Sequence, residues 1–153
     1  MTQQTGIGTN LVCQIGLVVK DIEKSVAAYC DILGLPKPRT TITDVREKAK
    51  TVYRGQPTEA RAKLAFFDMG QVQIELIEPD GKPSTWQEVL DEKGEGVHHI
   101  AFIIKDTDKV VAYLEGRGAE LVQQGHYTGG MYSYIDTTPQ LGVVLELLEN
   151  FGK

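Results

Sequence analysis

The sequence predicts an α+β fold built from two tandem βαβββ modules, residues 11–79 and 95–150, joined by a linker over 80–94. Three observations carry this. Strand and helix signals run in the order βαβββ twice. The segment Gln14-Ile-Gly-Leu-Val-Val-Lys-Asp21 recurs 85 residues later as His99-Ile-Ala-Phe-Ile-Ile-Lys-Asp106. A 153-residue chain that is 41% hydrophobic and 24% charged also has the size and make-up of one soluble globular domain with a real interior. Extended to Tyr29 and Leu114, the repeat aligns 16 positions, of which six are identical: Ile15/Ile100, Lys20/Lys105, Asp21/Asp106, Lys24/Lys109, Val26/Val111 and Ala27/Ala112. The module ends correspond too. Phe67-Asp68 lies over Ile135-Asp136, and Ile74-Glu75-Leu76-Ile77-Glu78 over Leu145-Glu146-Leu147-Leu148-Glu149, with a three-residue insertion between these anchors in the second copy.

Residues 1–10 are polar and read as a flexible tail. Leu11–Lys20 is β-rich and ends at Asp21, an N-cap for a helix over Ile22–Leu33. That helix has Val26, Ala27, Cys30 and Leu33 at helical spacing and is stopped by Gly34. Residues 38–62 are polar and carry Arg39, Arg46, Arg54 and Arg61; a strand and a hairpin fit best there. Lys63–Met69 and Val72–Ile77 are strands joined around Gly70. In the linker, Ser84 caps a short helix to Glu92. The second module follows with a strand over Gly94–Lys105, a helix over Thr107–Arg117 stopped by Gly118, and strands at Ala119–Gln124, Met131–Ile135 and Gly142–Leu148.

Charge and cysteine usage narrow the function. The chain has 16 Lys and Arg against 21 Asp and Glu, a net charge of −5. That is no basic footprint for nucleic acid or an anionic membrane surface. No apolar run approaches the ~20 residues of a membrane span. Met1–Asn10 lacks the basic and apolar regions of a signal peptide. Cys13 and Cys30 form no metal-type pair and read as buried thiols in a reducing compartment, so a cytoplasmic location is expected.

Four polar residues interrupt the apolar strands at two pairs of equivalent positions: Gln14 matches His99, and Glu75 matches Glu146. Strand alternation puts Glu75 on one face with Gln73 and Ile77, Glu146 with Val144 and Leu148, and His99 with Ala101 and Ile103. Those faces look inward by hydrophobicity. Buried carboxylates are costly unless paired or bound to a metal. Two Glu, one His and one Gln form an N/O donor set for one divalent ion per chain; Zn, Ni, Co, Mn, Mg and Fe all accept it. A single strand Glu is ordinarily solvated and a single strand His ordinarily structural, and it is the paired placement that favours ligation.

The repeat, the module order and these four positions resemble the vicinal oxygen chelate superfamily, which includes glyoxalases, bleomycin resistance proteins and dioxygenases. The resemblance spans about Leu11 to Glu149. It implies a half-open, barrel-like sheet around a metal, with ligands Gln14, Glu75, His99 and Glu146 from the first and last strands of each module. The Gln/Glu/His/Glu set is similar to that of a branch of glyoxalase I. The segments Ile74–Pro79, Gly94–Ala101 and Gly142–Leu147 look like methylmalonyl-CoA epimerase. The resemblance implies a metal-dependent lyase or isomerase that moves a proton α to a chelated carbonyl. Glu146 would be the base and Glu75 its partner, acting on a small molecule with adjacent oxygens, either a thioester or a hydroxycarbonyl. It also implies a homodimer. The alternative is a non-catalytic binding or resistance protein of the same fold.

Departures from those relatives constrain the substrate. Epimerases carry His where this chain has Gln14, and Glu59 is a candidate for their extra catalytic Glu, with a solvated surface Glu as the default reading. Glutathione-dependent glyoxalases carry an Arg where Val18 stands and an Asn where Pro79 stands. Dioxygenases need a second His ligand. Among weaker candidates, alternation points His98 outward as a surface or interface histidine. His126 sits in a Gly-rich loop over 125–130 that reads as a flexible lid, with a plain hairpin turn as the alternative. Tyr132 and Tyr134 share a face that lines a pocket or packs. Trp86 is expected in the core or at an interface, and the four arginines in a solvated loop, with an anion-binding role as the alternative.

Overall fold

The axis relating the two modules passes through one strand pair. In the computed structural model, which describes Gly6–Gly152, β1 (Gln14–Val18) runs antiparallel to β7 (Gly96–Ile103). Ile15 faces Ile100 in this ladder. The two are equivalent in the repeat, so the pseudo-twofold lies between them. Each partner carries its own module outward. β6 (Gln73–Pro79) pairs parallel with β1, and β10 (Val144–Asn150) parallel with β7. Beyond them lie β5 (Ala62–Asp68) on β6 and β9 (Gly130–Asp136) on β10. β2 (Thr41–Ile42) follows at the edge beyond β5, and β8 (Glu120–Tyr127) follows β9 on the other side. The result is one curled mixed sheet, a half-open barrel of the expected α+β class.

The helices cover the outer face. α1 (Ile22–Leu33) packs Ile22 and Val26 against Ala65, Phe67 and Leu76. α4 (Thr107–Glu115) packs Val110, Val111 and Leu114 against Phe102, Ile135, Leu145 and Leu147. Alternation then turns Glu75, Ile77, Tyr134 and Glu146 to the inner face. There, Val18, Ile77, Val122 and Val144 close around Trp86, which hangs from the linker helix α3 (Thr85–Lys93) capped by Ser84. The three-residue insertion is a short helix, α5 (Thr138–Leu141), before β10.

Residues 38–62 depart from a plain strand and hairpin. A short helix, α2 (Arg46–Ala49), follows β2, and the hairpin of β3 (Val52–Tyr53) and β4 (Gln56–Pro57) leaves its own module. It pairs through Val52↔Gln124 and Tyr53↔Gln123 with β8 of the other. Short strands and polar residues give no local signal for such a crossing; Arg54, bonded to Glu88 of α3 at 2.7 Å, helps hold it. Met1–Thr5 of the expected tail lie outside the described residues. The rest of it touches the fold: Ile7 packs on the second-module core and Gly6 N donates to the Tyr113 hydroxyl at 2.7 Å. Cys13 and Cys30 are free and half-buried rather than fully buried. Among the described residues no helix is long and apolar enough to cross a membrane.

The repeat extends to helix capping. Asp21 and Asp106 accept from Lys24 N and Lys109 N. The last Glu of each strand motif reaches the next orphan amides: Glu78 accepts from Ile22 N at 2.8 Å, and Glu149 from Thr107 N at 2.9 Å and the Thr107 hydroxyl at 2.6 Å. Those bonds lower the Glu149 carboxyl below its ordinary value. Both glutamates place negative charge at a helix N-terminus. Glu78→Ala and Glu149→Ala should therefore each cost about 1 kcal/mol in chemical denaturation. A loss at only one of them would break the functional equivalence of the two caps.

Candidate active site

Pseudo-symmetry brings the four repeat-related side chains to one point. Gln14 on β1, Glu75 on β6, His99 on β7 and Glu146 on β10 are all buried, between 0% and 7% exposed. His99 Nε2 lies 3.0 Å from Glu146 Oε1, 3.4 Å from Glu75 Oε1 and 3.0 Å from Gln14 Oε1. Ligand atoms of Glu75, His99 and Glu146 all fall within 4.8 Å of one another. Gln14, Glu75 and Glu146 face a cavity of about 430 Å³, with His99 behind them.

Gly16 makes room for this cluster. It stands opposite His99 in the ladder, and a Cβ there would lie 2.1 Å from the imidazole Cε1. A glycine inside a strand marks close approach of a neighbour; in Gln14-Ile-Gly16 that signal stood two residues from the first candidate ligand. Gln73, paired with Gln14 across β1 and β6, accepts from the Gln14 amide nitrogen at 2.6 Å and so aims the amide oxygen inward. That oxygen is 3.0 Å from Glu146 Oε1 and 3.1 Å from Glu75 Oε1. Three acceptor oxygens and a ring nitrogen thus converge without a donor between amide and carboxylates. A divalent ion satisfies that arrangement. Without one, the cluster is satisfied when both amides turn over, so that the Gln14 NH₂ donates to both carboxylates and the Gln73 NH₂ donates to the Gln14 oxygen.

His98 is the main correction to the sequence reading. It is 2% exposed, not on the surface. The β1–β7 register shifts between Gly16 and Leu17, which pair with His99 and Val97. His98 is the bulged residue, and a bulge re-aims a side chain that alternation would send the other way. Its Nδ1 lies 2.8 Å from His99 Nδ1, and its Nε2 lies 3.1 Å from the Thr85 hydroxyl. Burial, together with the neighbouring charge of His99, holds His98 well below the ordinary imidazole value, so it is neutral. With His99 Nε2 turned to the carboxylates, His99 Nδ1–H donates to His98 Nδ1 and His98 Nε2–H donates to Thr85. This fixes the tautomer of His99 from outside, the arrangement that a metal-ligating histidine would need.

The remaining candidates divide. Tyr132 and Tyr134 line the cavity, and Trp86 Nε1 donates to the Tyr134 hydroxyl at 3.0 Å. Burial raises both phenols, so they stay protonated. Trp86 is 3% exposed within its own chain, a core and cavity residue, and so not available to a subunit contact. The stretch over 125–130 forms the tight turn of the β8–β9 hairpin, with Tyr127 paired to Gly130. His126 and Thr128 nonetheless sit on the cavity rim. Glu59 bonds to Arg46 and lines no part of the cavity. The cavity wall opposite the sheet comes from Asp44, Ala49 and Thr51, which the sequence did not mark.

Burial opposes a charge on His99, but the Glu146 charge and the bonds to Glu146 and Glu75 outweigh it and raise the imidazole to about 10. Burial, reinforced by Glu146, also pushes the Glu75 carboxyl up. Without a metal, His99 is therefore the proton that pays the carboxylates' desolvation cost. The folded value lies above the unfolded ~6.5, so this contribution is full below about pH 6.5 and is lost as pH rises toward 10. Stability of the metal-free protein should accordingly fall between pH 7 and 10 in denaturant titrations. Gly16→Ala should displace His99 and weaken divalent-ion binding at least about tenfold, with the far-UV spectrum retained; unchanged affinity would show that the close approach is not what seats the ring.

Known proteins match this arrangement. The family model for the Glyoxalase/Bleomycin resistance protein/Dioxygenase superfamily matches residues 13–135. Uncharacterized protein YqjC of Bacillus subtilis is 29% identical over 147 residues, 94% of each chain. Uncharacterized protein YaeR of Escherichia coli is 30% identical over 148 residues, 94% of this chain and 98% of that protein. The structure of methylmalonyl-CoA epimerase from Mycobacterium tuberculosis superposes with a TM-score of 0.66 at 22% identity, covering 99% of this chain and 94% of that one. Because the family model covers residues 13–135, most of the chain, the chain belongs to the glyoxalase/bleomycin resistance/dioxygenase superfamily.

Proposed function

We propose that this protein is a metal-dependent isomerase or lyase that moves a proton on the carbon next to a carbonyl. The observation that carries the reading is the convergence of Gln14, Glu75, His99 and Glu146 at the floor of an open cavity. A divalent ion held by these four side chains would supply Lewis-acid polarisation of substrate oxygens. The chain's own part is proton handling. Glu146 takes the proton from the carbon, acting as a positioned general base of the kind that contributes ~10²–10⁴-fold. Glu75, related to it by the pseudo-twofold, returns a proton from the other side. Gln73 and His98 hold Gln14 and His99 in orientation, and the wall of Trp86, Tyr132 and Tyr134 excludes water.

The donor set fits Zn, Ni, Co, Mn, Mg or Fe, and availability decides among them. Likeness to methylmalonyl-CoA epimerase and the Gln/Glu/His/Glu set of glyoxalase I both support proton transfer; the exposed, ion-paired Glu59 removes the candidate for the epimerases' extra Glu. We further propose a homodimer formed through the sheet edges; sedimentation as a monomer at micromolar concentration would overturn it.

Metal binding must expel the His99 proton. Calorimetry in buffers of differing ionisation enthalpy should show about one proton released per ion bound, with affinity rising about tenfold per pH unit below the His99 value of about 10. For activity, metal-loaded protein in D₂O is incubated with α-hydroxycarbonyls and acyl-CoA thioesters, and loss of the α-proton is followed by NMR. Wild type should exchange at least about a hundredfold faster than Glu146→Gln. Equal rates across the panel would move the binding-protein reading ahead.

A further inference from the structure

The cavity's wall carries a second message, about charge. Its apolar part consists of Ile42, Leu64, Phe66, Trp86 and Leu148, with Tyr127 at the rim. Three of these stay open to solvent at the mouth: Ile42 is 55%, Phe66 36% and Tyr127 36% exposed. Exposed apolar side chains around a cavity offer burial to a ligand's own apolar surface. The charged groups on the wall are Glu75, Glu146 and Asp44, all acidic. Among the described residues no Lys or Arg lines it. The arginines that come nearest in sequence are committed elsewhere: Arg46 to Glu59, Arg54 to Glu88, and Arg61 to the Thr43 carbonyl at 2.9 Å. A divalent ion offsets two of the three carboxylates and leaves Asp44 over.

An anionic group drawn into such a space loses its hydration and finds no counter-charge, apart from a metal that already serves the reacting oxygens. That loss costs several kcal/mol for a carboxylate. The polar groups that remain are an imidazole and hydroxyls. His126 on the rim has its Nδ1 buried with no hydrogen-bond partner, and the Thr51 hydroxyl and the protonated phenol of Tyr132 lie on the same wall. These suit a hydroxyl or a carbonyl.

We infer that the part of the substrate held inside the cavity is uncharged: a vicinal hydroxycarbonyl, or the acyl end of a thioester, carrying an apolar substituent and no free carboxylate or phosphate. This rests on the proton-transfer reading of the site and narrows it. It also separates the chain from the substrate named in its structural neighbour, because a methylmalonyl group carries a carboxylate next to the reacting carbon.

Matched pairs test it by binding, independently of turnover. One pair is 4-carbamoyl- and 4-carboxy-2-hydroxyacetophenone; the other is methylmalonyl-CoA and the carboxamide of its free carboxylate. Each pair differs in charge at nearly constant shape, and the two pairs distinguish free hydroxycarbonyls from thioesters. Dissociation constants are measured by calorimetry on the metal-loaded protein at pH 8, above the ordinary imidazole value. In at least one pair the amide should bind at least about tenfold tighter than the carboxylate. Phe66→Lys, or Ile42→Lys as a second variant at a more exposed position, should close that gap by placing an ammonium at the mouth. A carboxylate that binds as well as its amide, no measurable binding by either pair, or a gap that neither variant narrows overturns the inference. If amides bind preferentially but no α-proton exchanges in D₂O, the substrate class stands and the proton-transfer reading fails instead.

Discussion

Two carboxylates buried side by side are the constraint on which the rest of the structure turns. Glu75 and Glu146 are each less than a tenth exposed, on the inner face of a sheet whose other inward residues are largely apolar. Like charges so placed must be compensated. The chain supplies His99 between them, Gln14 beside them, and an opening to solvent on one side only. Much of the neighbouring sequence answers to that arrangement. Gly16 lacks a side chain because the imidazole occupies the space; Gln73 turns an amide; β7 carries an extra residue so that His98 can brace His99 from behind. The tyrosines and Trp86 roof the cluster, with the Tyr134 ring centroid 5.2 Å from that of His99.

The fold was legible because duplication writes the same message twice. A lone Glu in Gln73-Ile74-Glu75 says little; its match to Glu146, and of Gln14 to His99, specifies a common point. That logic reached the clustering of the four polar side chains, the helices and the order of eight of the strands. It failed where the two copies differ. The stretch from Arg46 to Pro57 has no counterpart in the second module, so nothing in the repeat announced that it would cross over. It failed also at His98, because a bulge breaks the alternation used to assign faces, and the sequence carries no mark of a bulge beyond two adjacent histidines. The loop over 125–130 looked mobile from its three glycines, yet Gly125 and Gly130 are small for a packing reason: a Cβ would lie 2.7 Å from the Tyr132 ring at the first, and 2.6 Å from the Glu149 carbonyl oxygen and 2.7 Å from the Tyr127 hydroxyl at the second.

Floor and wall of the cavity are built differently. Gln14, Glu75, His99 and Glu146 stand on the central strands, held by ladder bonds on both sides, whereas much of the cavity wall comes from short elements, β2 and α2, and from the tip of the β8–β9 hairpin. A rigid floor with a remodelled wall lets one fold serve many substrates. Here the wall is apolar and acidic.

The β3–β4 hairpin has a consequence for how the protein comes together. Residues 52 and 53 complete the edge of a strand roughly seventy positions further along the chain. Neither half of the duplication therefore owns all of its sheet. A first half alone would carry an unpaired ribbon, and a second half alone an uncovered edge, each a template for pairing with another molecule. The strap couples the halves into one cooperative unit and makes their separation a route to strand exchange between molecules.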